Sequence, residues 1–205
     1  GFKSRGLGDV YKRQVLDGAG YQFLKGHRLR LALSTAYWPL FWPAPEEVTI
    51  DLDPGDCRFR LPLFNGSDAE PPVFSSAEKA FSEPRTTLRK ARSQRTVEHD
   101  LASGEALSTV VDHGARDRID QHGMETWNKT TRKYFVNDSR PDTCRMTSKR
   151  NLFVRRGKFR LRTETTAKMT CSKEDFHLSA RLRAWRGKKK VFDRKWSDVI
   201  RRNGN

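Results

Sequence analysis

Apolar residues in this chain recur mostly at every second position. Leu29, Leu31 and Leu33 alternate with Arg28, Arg30 and Ala32. A period of two with one apolar face is the mark of a half-buried strand, so 27–34 is expected as one. Stretches 48–52 and 57–63 read the same way. From Arg95 the alternation resumes with Val97, His99 and Leu101, and Ser103-Gly104 turns the chain into 106–112. Strands are expected at 126–136 and 142–149, the second with Cys144 and Met146 on one side. Gly157 separates 152–155 from 158–166, where Phe159 and Leu161 alternate with Arg160 and Arg162. Phe176, Leu178, Ala180, Leu182 and Ala184 alternate without a break. Arg186-Gly187-Lys188-Lys189 is a hairpin turn signal before a last strand at 190–196. No stretch of twelve residues holds a 3.6-residue period, so the expected class is all-β: hairpins packed as a sandwich or jelly roll.

Two stretches break the pattern. Residues 36–45 hold Tyr37, Trp38, Phe41 and Trp42 among three prolines, which forbid a regular central strand or helix. Four aromatics in such a loop must pack on something or line a site. Residues 64–94 are polar, Ser-rich and punctuated by Asn65-Gly66, Pro71-Pro72 and Glu83-Pro84, which predicts a long surface loop with a short helical turn near 76–81. The first fourteen residues have no periodicity. Asp9-Val10-Tyr11-Lys12-Arg13-Gln14 resembles the translation of a transposon-end adapter, so 1–14 is set aside as a disordered artefact and 15–205 is taken as one β-domain.

Composition narrows the function classes. The chain has 205 residues, with 35% hydrophobic and 32% charged. No long apolar run can span a bilayer, and no membrane partner is expected. Cys57, Cys144 and Cys171 are too few and too far apart for a disulfide framework, which favours a cytoplasmic setting. The formal charge is +16. Residues 140–205 hold 21 Lys/Arg against 6 Asp/Glu, so the excess lies in the last third. A basic third attracts anionic partners or is simply a solvated face. Taken alone it is read as a solvated face, and nucleic acid is not expected as a partner.

Catalytic chemistry finds little support. Acyl transfer needs a nucleophile on a tight turn with a base and an orienting acid, and Gly-x-Ser-x-Gly is absent. His27, His99, His113, His122 and His177 have no nucleophile beside them. There is no Cys-x-x-Cys and no glycine-rich phosphate loop, so no catalytic residue, metal site or cofactor is assigned.

At 20–43 the Gly-His-Arg turn enters an alternating strand and is followed by Ser34-Thr35-Ala36-Tyr37-Trp38-Pro39. This stretch resembles the C-terminal domain of the Xaa-Pro dipeptidyl-peptidase and CocE/NonD serine hydrolase family. Arg162-Thr-Glu-Thr165, Asp175-Phe-His-Leu178, Trp185 and Val191-Phe-Asp-Arg-Lys-Trp196 add to the likeness. The resemblance implies a jelly-roll β-sandwich, galactose-binding-like, that lacks its first strands. It implies a non-catalytic role beside an α/β-hydrolase domain that lies upstream in the same polypeptide and carries the Ser-His-Asp triad. That missing domain and a second copy of the chain are the expected partners. Tyr37, Trp38, Phe41 and Trp42 are then candidates for the domain interface or the rim of its pocket. The alternatives are a basic β-sheet module that binds nucleic acid and a carbohydrate-binding jelly roll.

Overall fold

The computed structural model describes residues 15–18, 20–46, 48–63, 73–137 and 139–202. The stretch 1–14, set aside as adapter-derived, and 64–72 of the expected long loop lie outside these. Contacts divide the chain into two units, one of Gly1–Thr35 with Val48–Ala80 and one of Ala36–Glu47 with Phe81–Asn205. Among the described residues no helix is long and apolar enough to cross a membrane.

The first unit departs from the sequence pattern. The alternating stretches 27–34, 48–52 and 57–63 form no strand; a lone bridge at Asp51 is all that the described residues show. Leu29, Leu31 and Leu33 are exposed. Among the described residues no strand is paired with these stretches. Alternation prepares one apolar face, but a strand exists only when its N–H and C=O groups find a second row. Local turns do form. His27 N–H donates to Leu24 O, and Gly55 N–H to the Asp53 carboxylate. No helical turn forms at 76–81 either.

The second unit is all-β, as the pattern predicts. Among the described residues nine strands make one antiparallel sheet: β1 (Arg85–Arg89), β2 (Arg92–Asp100), β3 (Glu105–His113), β4 (Arg116–Ile119), β5 (Met124–Asn137), β6 (Arg145–Arg156), β7 (Phe159–Cys171), β8 (Asp175–Arg186) and β9 (Lys189–Arg201). A layer with one apolar and one polar face is the kind from which a β-sandwich is built. β5 to β9 are neighbours in sequence order; Gly157 and Gly187 lie in the tight turns β6–β7 and β8–β9, and a short 3₁₀ turn at Pro141–Thr143 lies between β5 and β6. The turns at Gly157 and Gly187 need φ of 55° and 60°, which glycine adopts without strain. β5 changes partner along its length. Met124–Thr126 pair with β4, and Lys129–Asn137 pair with β3. Gly114 sits at the change. Its N–H donates to Asn128 O, and a Cβ there would lie 2.7 Å from the Asn128 amide.

Register decides which side chains share a face. One row runs Tyr134, Met146, Met169 and Leu178 across β5 to β8; another ends Ala180, Trp196 across β8 and β9. This is the apolar face. The residues between belong to the other face, where Lys149, Thr166, Arg181 and Lys195 form one row. Among the described residues few apolar side chains are deeply buried, Val110, Ile119, Cys144 and Pro43 among them. The apolar face is covered at one end, and what covers it is the aromatic loop.

Candidate functional site

The loop 36–46 is shaped by a single turn. Leu40 and Phe41 N–H groups both donate to Tyr37 O at 2.9 Å. A turn of this kind brings residues four apart to the same side. Trp38 and Trp42 therefore share one side, Tyr37 and Phe41 the other.

The tryptophan side docks on the sheet. The two indoles meet edge to face, with centroids 4.7 Å apart. Trp38 packs edge-on against Tyr134 of β5 at 6.1 Å, and Trp42 against Phe176 of β8 at 5.4 Å. Such pairs contribute about 0.5–1.5 kcal/mol each beyond the area they bury. Both Nε1–H groups are buried without an acceptor among the described residues.

Arg202, just past β9, fastens the loop. One guanidinium nitrogen donates to Pro43 O at 2.6 Å and another to Ser172 O at 3.1 Å. Its guanidinium also lies over the Phe176 ring at 4.7 Å. The planar fork reaches two carbonyls that a single ammonium cannot hold together. Arg202→Ala is expected to cost about 2 kcal/mol, the scale of two hydrogen bonds from a charged donor, and to open the loop to proteolysis. Arg202→Lys is expected to recover only part of both. Limited proteolysis followed by mass mapping of cuts near Pro43 checks this; equal digestion of all three proteins would refute it.

The outward side is different. Tyr37 and Phe41 stack at 6.2 Å with an interplanar angle of 25°. They are 62% and 68% exposed, and Leu40 beside them is 70% exposed. The four residues singled out from the sequence thus do two jobs. Trp38 and Trp42 anchor the loop, and Tyr37 and Phe41 present an apolar surface. Leu40 belongs to that surface; its place in the turn, not its residue type, reveals it.

The polar face holds a second constellation. Trp127 stacks on Phe153 at 5.0 Å, nearly parallel. Arg116 lies over the free side of Trp127 at 4.6 Å, and Arg162 lies over Trp185 at 4.0 Å. Arg162 is the register partner of both Phe153 and Trp185, so the order across β4 to β8 is cation, two stacked rings, cation, ring. Period-two reading puts these residues on one side of each strand, but only the register aligns them. Carboxylates neutralise part of this face. Glu164 accepts from Lys149 and Arg183, and Asp193 from Arg181 and Lys190. Hydrogen bonds from Arg181 first, then Lys190, hold the Asp193 carboxyl far below its ordinary value. Among the described residues no three His, Cys, Asp or Glu side chains converge to hold a metal.

Residues 8–98 match the family model of the X-Pro dipeptidyl-peptidase C-terminal non-catalytic domain. The matched stretch contains the aromatic loop and β1 and ends within β2. No curated protein and no solved structure matches the chain.

Proposed function

We propose that the chain is the non-catalytic β-domain of a cytoplasmic serine hydrolase related to X-Pro dipeptidyl-peptidase and the CocE/NonD enzymes. The observation that carries this reading is the match over 8–98 to a domain described as non-catalytic. The catalytic triad then lies in an α/β-hydrolase domain upstream, and the present chain is a piece of the whole enzyme. The aromatic loop is its point of contact with that domain. Trp38 and Trp42 hold the loop on the sheet, and Tyr37, Leu40 and Phe41 meet the catalytic domain or the rim of its pocket. Three exposed apolar side chains side by side are a natural anchor for a partner surface.

Two measurements test the reading. The genomic frame upstream of the Val15 codon is expected to continue into Gly-x-Ser-x-Gly with Asp and His partners. The purified chain alone is expected to leave aminoacyl-proline and simple ester reporters intact, while the complete enzyme cleaves one of them. Tyr37→Ser with Phe41→Ser in the complete enzyme is expected to lower kcat/KM about tenfold, the loss of roughly 1.4 kcal/mol of contact. An upstream frame that closes without a hydrolase, or turnover by the chain alone, would overturn it.

A further inference from the structure

The polar face of β5 to β9 carries two features that neither the loop nor the hydrolase reading uses. The first is a groove of about 690 Å³ across the strands. It runs between the register row Lys133, Thr147, Lys168, Ser179 and Ser197 and the row that includes Lys149, Arg181 and Lys195. Ammonium groups and hydroxyls therefore interleave along it. Lys149 and Arg181 are paired with Glu164 and Asp193. Lys133, Lys168 and Lys195 enter no ion pair among the described residues, and all three are exposed.

The second feature is the ring-and-cation ladder, which borders a cavity of about 560 Å³. Arg155, Arg160 and Lys188 line the other side of that cavity, and they too enter no ion pair among the described residues. Thr147 and Phe153 lie six residues apart on β6, about 20 Å at the usual strand rise. One partner laid along the strands therefore reaches both features.

The combination selects the partner. Unpaired ammonium groups beside hydroxyl donors suit phosphate oxygens. An acidic protein or a sulfated glycan satisfies those charges, and a sugar lays a C–H face on a ring, but a nucleic acid brings a flat π-face with every phosphate. A sheet that joins a basic groove to stacked aromatics has the two elements that hold single strands. Charge by itself does not separate a binding face from a solvated one; the ladder does.

We propose that this face binds a single-stranded nucleic acid, with phosphates in the lysine–hydroxyl groove and bases against the Trp127–Phe153–Arg162–Trp185 ladder. Phe153 and Trp185 stand on strands two spacings apart, roughly 9.6 Å, with the Arg162 guanidinium in the slot between them. A base takes that slot as the guanidinium swings to a phosphate. Arginine planes and aromatic rings both stack on bases, so the exchange keeps the ladder filled.

The test uses the full chain, a labelled twelve-residue oligothymidylate and fluorescence anisotropy over a range of salt. Binding is expected to weaken steeply with salt, each phosphate contact contributing about 0.7 to the slope for single strands. The combined change K133Q, K168Q and K195Q is expected to reduce that slope by about 2. These side chains are exposed, and circular dichroism verifies that the fold survives. An abasic strand of the same length and charge is expected to bind about tenfold more weakly, since base stacking is absent. That comparison needs no variant. Equal binding of the abasic strand or of heparin, or an unchanged slope in the lysine variant, would overturn the proposal.

Discussion

Trp42→Ala is expected to destabilise the chain by about 3 kcal/mol, the low end of what truncating a packed tryptophan costs because the ring is only half-buried. The loss has three parts. The indole leaves its edge-to-face contacts with Trp38 and Phe176, whose partners then lack one side. A ring-sized space opens over the end of the apolar face, and the chain offers little nearby that can collapse into it. Pro43, next in sequence and fastened to Arg202, loses the packing that orients its carbonyl. Trp42→Phe separates these effects from the polar atom. It keeps a ring on Phe176 and removes an N–H that is buried without an acceptor, so it is expected to cost less than about 1 kcal/mol. Tyr37→Ala, on the outward side of the same turn, is expected to stay within about 0.5 kcal/mol. Urea unfolding followed by circular dichroism measures all three. Equal losses for Trp42→Ala and Tyr37→Ala would show that the loop does not depend on its tryptophan side.

How much of this was legible in the residues differs between the two halves of the chain. From Arg95 onward the alternation gave most of the strands, and the Ser103-Gly104, Gly157 and Gly187 turns fell where the sequence put them, but β1 and the first residues of β2 lie inside the stretch 64–94 expected as a loop. β6 runs unbroken through Arg145–Arg156 where the pattern suggested two pieces, and β4 is too short for alternation to register. Before Arg85 the same alternation produced no strand. Leu29, Leu31 and Leu33 are as regular as Leu178, Ala180 and Leu182, but β8 has β7 and β9 on either side and 27–34 lies outside the sheet. A period of two records which face is apolar, not whether a partner row exists. The candidate site shows the same limit. Aromatic content marked Tyr37, Trp38, Phe41 and Trp42, while their division into an anchoring pair and an outward pair follows from one turn. The ladder of Trp127, Phe153, Arg162 and Trp185 draws one residue from each of four consecutive strands. Its alignment depends on register, which hairpin turns and side-chain packing set together and no single strand displays.

Glu164→Gln is the other change expected to have a large effect, about 2 kcal/mol at neutral pH. Glu164 sits in mid-β7, 8% exposed, and accepts from Lys149 at 3.0 Å and from Arg183 of β8. The Lys149 hydrogen bond first, and then Arg183, hold its carboxyl below the ordinary 4.5 against the opposing push of burial. An amide keeps the shape and one acceptor oxygen but leaves two cations facing each other without a counter-charge. The sign of the pH effect follows from the depressed value. The folded state binds its proton less readily than the unfolded chain, so the stabilisation is complete above about pH 4.5 and is lost as pH falls through the folded value. Asp193 and Glu125, held down chiefly by Arg181 and Arg116, act in the same direction. The native chain is therefore expected to lose stability as pH is lowered from about 5 towards about 3, while Asp193, held lowest, keeps its charge beside Arg181 and Lys190 over that interval. Glu164→Gln is expected to start lower and fall less over that interval, because one of the titrating groups is gone. Urea midpoints of both proteins at about pH 7, 5, 4 and 3 give the comparison. A difference between them that stays constant across the series would mean that Glu164 acts through its shape and not through its charge.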